Sequence, residues 1–271
     1  FGADVSLQKA RTATFFSGTG RSDGAAPADI LRGLPKPLYL APLDEPIDLE
    51  QGLSVLPEPA PVLADYVSAA QQFLGDPGAL EASGTPVAFS DRAGGNLSRP
   101  HYPDGPASGP PGPFSKPAGQ WSVFSVGLQL DLSYNAIIHH IAFVFGLVED
   151  VPANCSGNTG LASQNPFTQQ GAVPNIANGI QIFPGSVPIY RDGVLVGGIG
   201  VSGDGVDQDD MIAFLGLQRA AERLASGLEN APVEMRADKL DIPSQPARLR
   251  YVNCPQIPFI NSDTTEVCNG Y

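Results

Sequence analysis

The stretch "GSVPIYRDGVLVGGIGVSGDGVDQDDMIAF", Gly185–Phe214, decides the fold because three structural elements can be read in it in direct succession. Residues 187–201 show the two-residue periodicity of strands on both sides of an Asp192-Gly193 pair. This pair supplies the positive φ angles of a two-residue type I′ turn. The acidic residues that follow are typical of a helix start, with Asp207 as the expected cap. We therefore predict an antiparallel hairpin followed by a long helix.

The glycines of this stretch do not match the common ligand loops. A P-loop requires a Gly-Lys-Ser/Thr ending, and no lysine lies nearby. Gly198, Gly200 and Gly203 have dinucleotide-binding spacing, but the first two fall inside the predicted strand rather than after it, and the acids that follow would repel a pyrophosphate. The pattern also fails the EF-hand test, although an irregular calcium site stays open. Glycines in a central strand predict close approach of a helix or of a flat ligand to its backbone.

Composition limits the partners of the chain. It has 271 residues and a net charge of −13, with 15 Lys and Arg against 28 Asp and Glu, so we expect no nucleic-acid partner. The longest apolar run, "AIIHHIAFVFGLV", is too short for a membrane span, and we expect none. With 31 glycines and 27 prolines, the chain favours long ordered loops of the kind found in exported proteins.

Further elements are predicted outside the hairpin. Helices are expected in 4–18, 61–75 and 133–146, and the helix after the hairpin should end at Gly227. Strands are expected in 85–91, 121–132, 180–185 and 247–254. Residues 21–61 and the seven-proline stretch within 99–117 are expected to be irregular.

Three cysteines, Cys155, Cys254 and Cys268, show no C-x-x-C spacing, which disfavours a zinc ribbon and covalent haem attachment. In an oxidising compartment, Cys254 and Cys268 could close a short loop, and Cys155 would then seek a partner outside this chain. Three reduced, buried thiols are the alternative.

The stretch "VPIYRDGVLVGGIGVSGDGVDQDDMIAFLG" resembles the signature of the GlcG/HbpS-like haem-binding family, also described as the haem-degrading domain and as the C-terminal domain of PduO-type proteins. Gly185-Ser186 stands where this family usually has two glycines. "LQKARTATFF" is similar to the family's A-x-x-K-A-x-T-A helix. The resemblance implies an α+β fold, with an antiparallel sheet and helices packed against it, here accompanied by long Pro/Gly-rich loops.

The resemblance also implies a domain organisation. We expect one domain over 1–271, with matched parts at 5–16 and 180–224, an insertion at about 18–170, and an extended tail at 234–271. Family members have strands before the first helix, so this chain looks like the C-terminal part of an enlarged relative. Because a sheet without those strands would expose an edge, we expect them from a second chain of the same precursor or from another subunit of a homo-oligomer.

Haem is the cofactor that the resemblance implies, and its iron is the one metal expected. The candidate binding residues are His139, His140, His101 and Arg99, since histidine ligates haem iron and arginine pairs with propionates. None of them lies within the matched motifs. Asp209-Asp210 is interpreted as a pair of solvated helix-cap residues, and no catalytic residue is identified.

Three functions follow from these observations. The first is a periplasmic or extracellular protein that binds haem or another tetrapyrrole for sequestration, sensing or degradation. The second is a non-catalytic structural or assembly subunit that keeps the fold without the cofactor. The third is an enzyme for a small organic substrate, with a pocket formed by the inserted loops.

Overall fold

The structure is a computed structural model of the chain. It describes residues 2–18, 26–33, 63–104, 109–115, 118–119, 140–149, 181–203, 205–243, 245 and 247–271.

Five helices and three strands have defined bounds. The helices are α1 (Gly2–Phe16), α2 (Pro27–Gly33), α3 (Leu63–Leu74), α4 (Asp91–Leu97) and α5 (Val206–Leu224). The strands are β1 (Ser186–Arg191), β2 (Val194–Gly200) and β3 (Leu228–Asn230), and two 3₁₀ turns follow at Val233–Met235 and Ala237–Lys239. Among the described residues, no helix is both long enough and apolar enough to cross a bilayer.

The sheet has the order β2-β1-β3 and both of its pairings are antiparallel. The hairpin β1–β2 turns at Asp192 and Gly193, whose φ angles of 51° and 75° are those of the predicted type I′ turn. A bulge interrupts the register between Ile189 and Tyr190. The predicted hairpin and the α+β class with an antiparallel sheet are confirmed.

Helices cover both faces of the sheet. Paired residues share a face, and faces alternate along a strand. Gly198 and Gly200 of β2 lie against α1. Ile189 lies on the opposite face, where its partner Asn230 donates from Nδ2 to the carbonyl oxygen of Phe214 in α5, at 3.3 Å. The sheet is therefore held between α1 and α5.

The glycines of β2 allow α1 to lie directly on the strand backbone. A Cβ added at Gly200 would stand 1.9 Å from the main-chain oxygen of Ser6, and one at Gly198 would stand 2.6 Å from that of Ala10. A Cβ at Gly197 would meet nothing within 4 Å. The close approach that the sequence predicts is thus made by a helix.

Two apolar clusters form the core of the part of the chain that the structure describes. One joins α1, α2, α3 and α4, and its largest fully buried side chains are Phe15, Tyr66 and Phe114. The other lies between the sheet, α5 and the C-terminal tail around Tyr190, Phe214 and Tyr251. The tail is therefore part of the folded body.

Three predicted strands are wrong. Residues 181–185 contain none, because the Gln181 amide donates to Thr12 Oγ1 at 2.8 Å. Residues 247–254 contain none either, because the Arg250 amide donates to Asn96 Oδ1 at 3.0 Å. In 85–91, Ala88 alone forms a β-bridge, with Arg236. In each segment, backbone groups that a strand would pair are bonded elsewhere.

The remaining differences concern ends and short elements. Helix α2 lies in the segment expected to be irregular. The residue before α5 is Gly205 rather than Asp207, and the helix ends at Leu224, followed by Ala225 with a φ of 45°. Residues 140–144 are helical within the predicted helix 133–146, and the predicted strand 121–132 lies outside the described residues.

Candidate functional site

A group of buried charges lies where α1, α4 and the start of α5 meet. We call Lys9, Asp91, Arg92, Asp209 and Asp210 the buried polar cluster. Lys9 Nζ donates to Asp209 Oδ2 at 2.9 Å and to the carbonyl oxygen of Val201 at 2.8 Å. Both side chains of this ion pair are almost fully buried. The pair therefore joins α1 to α5 at the end of the hairpin.

The second ion pair of the cluster joins α4 to α5. Arg92 Nε donates to Asp210 Oδ2, and Arg92 Nη2 donates to Asp207 Oδ1 at 2.6 Å. Asp210 Oδ2 also accepts the Asn253 amide at 2.9 Å. The same carboxylate thus holds α4 and the C-terminal tail against α5.

The third carboxyl group, Asp91, is completely buried at the start of α4. Burial raises its pKa well above the usual range, and the nearby Lys9 opposes this shift. Burial also raises the pKa of Asp210 to about 6, against the opposing effect of Arg92. The two cations of the cluster, Lys9 and Arg92, each form an ion pair with a carboxylate of α5. This pairing is expected of a group that ties elements of the fold together.

These positions correct the interpretation of Asp209 and Asp210 as solvated cap residues. Their exposed fractions are 4% and 0%. The partners Lys9 and Arg92 are 200 and 118 positions away in sequence, so local patterns could not reveal the pairing. One feature of the sequence could have indicated the pairing. Lys9 and Asp209 each lie in one of the two motifs that resemble the GlcG/HbpS-like family.

His101 and Arg99 lie together in the loop after α4. His101 is half-buried, with its Nδ1 3.1 Å from the carbonyl oxygen of Gly109. Arg99 forms an ion pair with Asp104, at 2.9 Å between Nε and Oδ1. The structure therefore places these two candidates on one loop.

His140 lies in a different setting. It is exposed, and its ring centroid is 6.4 Å from that of Phe143. It begins a stretch that we call the exposed apolar segment, residues 140–149, in which six large apolar side chains are at least 38% exposed, up to 75% at Leu147. His139 and Cys155 lie outside the described residues.

A cleft opens beside the C-terminal tail. Cys254 and Cys268 form the predicted disulfide, with their Cα atoms 6.3 Å apart, and both line this cleft of about 530 Å³. Arg236 and Lys239 supply its cations. We call it the C-terminal cleft. Among the described residues, no group of three or more His, Cys, Asp or Glu side chains is arranged to hold a metal ion.

Comparison with known families gives one finding. A family model described as "Haem degrading protein HbpS-like" matches residues 152–218. This range contains the hairpin and the first part of α5, where Asp209 and Asp210 lie. Searches of curated proteins and of solved structures gave no match. Over residues 152–218 the chain is therefore similar to the HbpS-like haem-degrading proteins, in agreement with the resemblance found in its hairpin and following helix.

Proposed function

We propose that this protein binds haem or a related tetrapyrrole and acts outside the cytoplasm in sequestration, sensing or degradation. The observation that carries the proposal is the match of residues 152–218 to the HbpS-like haem-degrading family. None of the candidate haem-binding residues lies within residues 152–218. Which of them would bind haem is therefore a separate proposal.

The exposed apolar segment fits a haem group best. A porphyrin requires an apolar surface and a ligand to its iron, which histidine commonly supplies. His140 lies at the start of the segment, and Phe145 and Leu147 expose 74% and 75% of their surface. Large apolar side chains that are exposed so close together in sequence are expected to mark an interaction site in a folded protein. When bound there, haem would supply iron for redox or oxygen chemistry, with His140 as its ligand.

The loop of His101 and Arg99 is the second candidate. The Nδ1 of His101 is 3.1 Å from a carbonyl oxygen, which leaves Nε2 as the nitrogen for a metal. Arg99 already faces Asp104, so a propionate would have to compete with that carboxylate. This arrangement suits haem less well than the exposed apolar segment does.

A location in the periplasm or outside the cell is supported by the disulfide. Bonds such as Cys254–Cys268 form and persist in oxidising compartments and are rare in the cytosol. Export is part of the proposal, and a fractionation experiment with the native organism tests it.

Haemin titration tests the proposal directly. We expect a Soret band in wild-type protein, loss of most of its intensity in His140→Ala, and retention in His101→Ala. His139→Ala tests the other candidate imidazole of the pair, and it should retain the band because His140 is the proposed ligand. A wild-type protein that gives no Soret shift with haemin would contradict the function, whereas an unchanged His140→Ala spectrum would contradict the site alone.

The same surface also supports a second candidate, a structural or assembly subunit without cofactor. The exposed apolar segment could pack against another copy of the chain or against a second chain of the same precursor. β2 is an edge of the sheet among the described strands, and its Val194 and Val196 are 42% and 50% exposed. Light scattering distinguishes the candidates: an oligomer that Phe145→Asp dissociates, with no haemin binding, would favour assembly.

A further inference from the structure

The C-terminal cleft has the features of a preformed ligand site. Its volume of about 530 Å³ lies in the range of small-molecule pockets, roughly 300–1,000 Å³. The disulfide Cys254–Cys268 ties two parts of its wall together. Because the wall is fixed covalently, a ligand would lose little free energy in ordering it.

Arg236 is held rigidly in this cleft. Its Nε donates to the carbonyl oxygen of Ala231 at 2.9 Å, and its Nη1 donates to the main-chain oxygen of Tyr271 at 2.8 Å. Its guanidinium carbon lies 5.2 Å from the ring centroid of Phe214 and 5.3 Å from that of Tyr251. The remaining nitrogen, Nη2, makes no hydrogen bond with the described residues, so the fixed guanidinium keeps one donor group for a ligand.

Lys239 supplies a second, more exposed cation. Its side chain is 46% exposed, and its Nζ lies 3.5 Å from Asp238 Oδ2, too far for a good hydrogen bond. The other acid of the cleft, Glu266, accepts a hydrogen bond from Asn269 Nδ2 at 3.0 Å. Lys239 can therefore turn to a ligand at the cost of a weak surface ion pair.

Apolar side chains lie beside these cations. Val233 and Tyr271 line the cleft, and each exposes 48% of its surface. A ligand with an anionic end and a flat apolar body would satisfy both kinds of surface. Arginine suits a carboxylate in particular, because its planar donors match the two oxygens.

We propose that the C-terminal cleft binds a small organic carboxylate with an apolar or aromatic body, through Arg236 Nη2 and Lys239 Nζ. The proposal does not depend on haem binding, since the cleft and the exposed apolar segment share no residue.

Benzoate is the test ligand, and benzamide is its neutral control of the same shape. In amide NMR spectra of the whole chain, we expect benzoate to shift resonances of residues 233–239, 251–256 and 266–271, and benzamide to leave them unchanged. Lys239→Ala should weaken benzoate binding about tenfold, the effect of losing one charge-assisted hydrogen bond. Lys239→Arg should restore most of the affinity.

Arg248→Ala is the matched control, because Arg248 is 59% exposed and lies 3.6 Å from Asp241 outside the cleft. It should leave benzoate binding unchanged. Equal shifts with benzoate and benzamide, shifts confined to other residues, or an unchanged affinity in Lys239→Ala would each overturn the proposal.

Discussion

The buried polar cluster and the C-terminal cleft both combine acids with basic side chains, but they use them in opposite ways. In the cluster, Lys9 and Arg92 are almost fully buried, and each faces a carboxylate of α5. In the cleft, Arg236 is held instead by main-chain oxygens and aromatic rings, and one of its nitrogens stays unbonded among the described residues. Because its cations are paired with carboxylates of the same chain, the buried polar cluster is structural. Because Arg236 keeps an unused donor nitrogen, the C-terminal cleft is a candidate binding site.

The largest effect should come from breaking an ion pair of the buried polar cluster. Asp209→Ala leaves the buried Lys9 ammonium without its carboxylate, and we expect the free energy of unfolding to fall by about 3–5 kcal/mol. Urea denaturation measures the change. The exposed pair Arg248–Asp241 is the control, where Asp241→Ala should cost below about 1 kcal/mol.

The double variant Lys9→Met/Asp209→Leu sharpens this test. Replacing both charges by apolar groups should recover much of the lost stability, because no unpaired charge stays buried. If Asp209→Ala alone were as stable as wild type, the Lys9 ammonium would have to be hydrated, which would contradict its buried position in the structure.

Removing the disulfide Cys254–Cys268 tests the C-terminal cleft. Cys254→Ser/Cys268→Ser removes the constraint on a loop with a sequence separation of 14, and we expect a loss of about 3 kcal/mol. Because the C-terminal cleft should also lose its fixed wall, benzoate binding should weaken in the same variant. Unchanged stability on reduction of the wild-type protein would contradict the expectation.

Gly200→Ala tests how closely α1, which carries Lys9 of the buried polar cluster, lies on the sheet. The new Cβ would meet the main-chain oxygen of Ser6 at 1.9 Å, so α1 must move, and we expect a loss of about 1–3 kcal/mol. Gly197→Ala is the matched control in the same strand, with open space around its Cβ. Thermal unfolding of both variants makes the comparison, and equal losses would be inconsistent with this packing.

The last prediction concerns the dependence of stability on pH. The pKa of Asp210 is raised to about 6 by burial, so the folded protein binds this proton more tightly than the unfolded chain does. The stabilisation is fully present below about pH 4 and is lost as the pH rises towards 6. Wild type should therefore lose about 1–3 kcal/mol relative to Asp210→Asn over this interval, measured as urea unfolding at each pH. A constant difference between the two proteins would be contrary to the expected shift.

The features that could be predicted from the sequence are those determined by residues close together in the chain. The turn Asp192-Gly193 and the alternation around it determine the hairpin, and the short spacing of Cys254 and Cys268 allowed their bond to be expected. The resemblance to the HbpS-like family, which gave the α+β class, depends on the same continuous stretch.

What the sequence could not predict depends on contacts between distant segments. Residues 181–185 and 247–254 look like strands, but their amides bond to Thr12, Asn96 and Asp210 instead of to a neighbouring strand. The C-terminal cleft likewise brings Arg236 against the aromatic rings of Phe214 and Tyr251, which come from separate parts of the chain. The site predictions for His139, His140, His101 and Arg99 stay predictions.

The ion pair between Lys9 and Asp209 has a consequence for the order of synthesis. The two residues are 200 positions apart, so a ribosome adding about 5–20 residues per second makes the second one about 10–40 s after the first. During that interval α1 has neither the strand backbone nor the carboxylate that it packs against in the folded chain. Residues of α1 that are buried in the folded chain, such as Lys9, therefore wait for their partners, and we expect a chaperone that holds this segment until α5 emerges to raise the yield of folded protein.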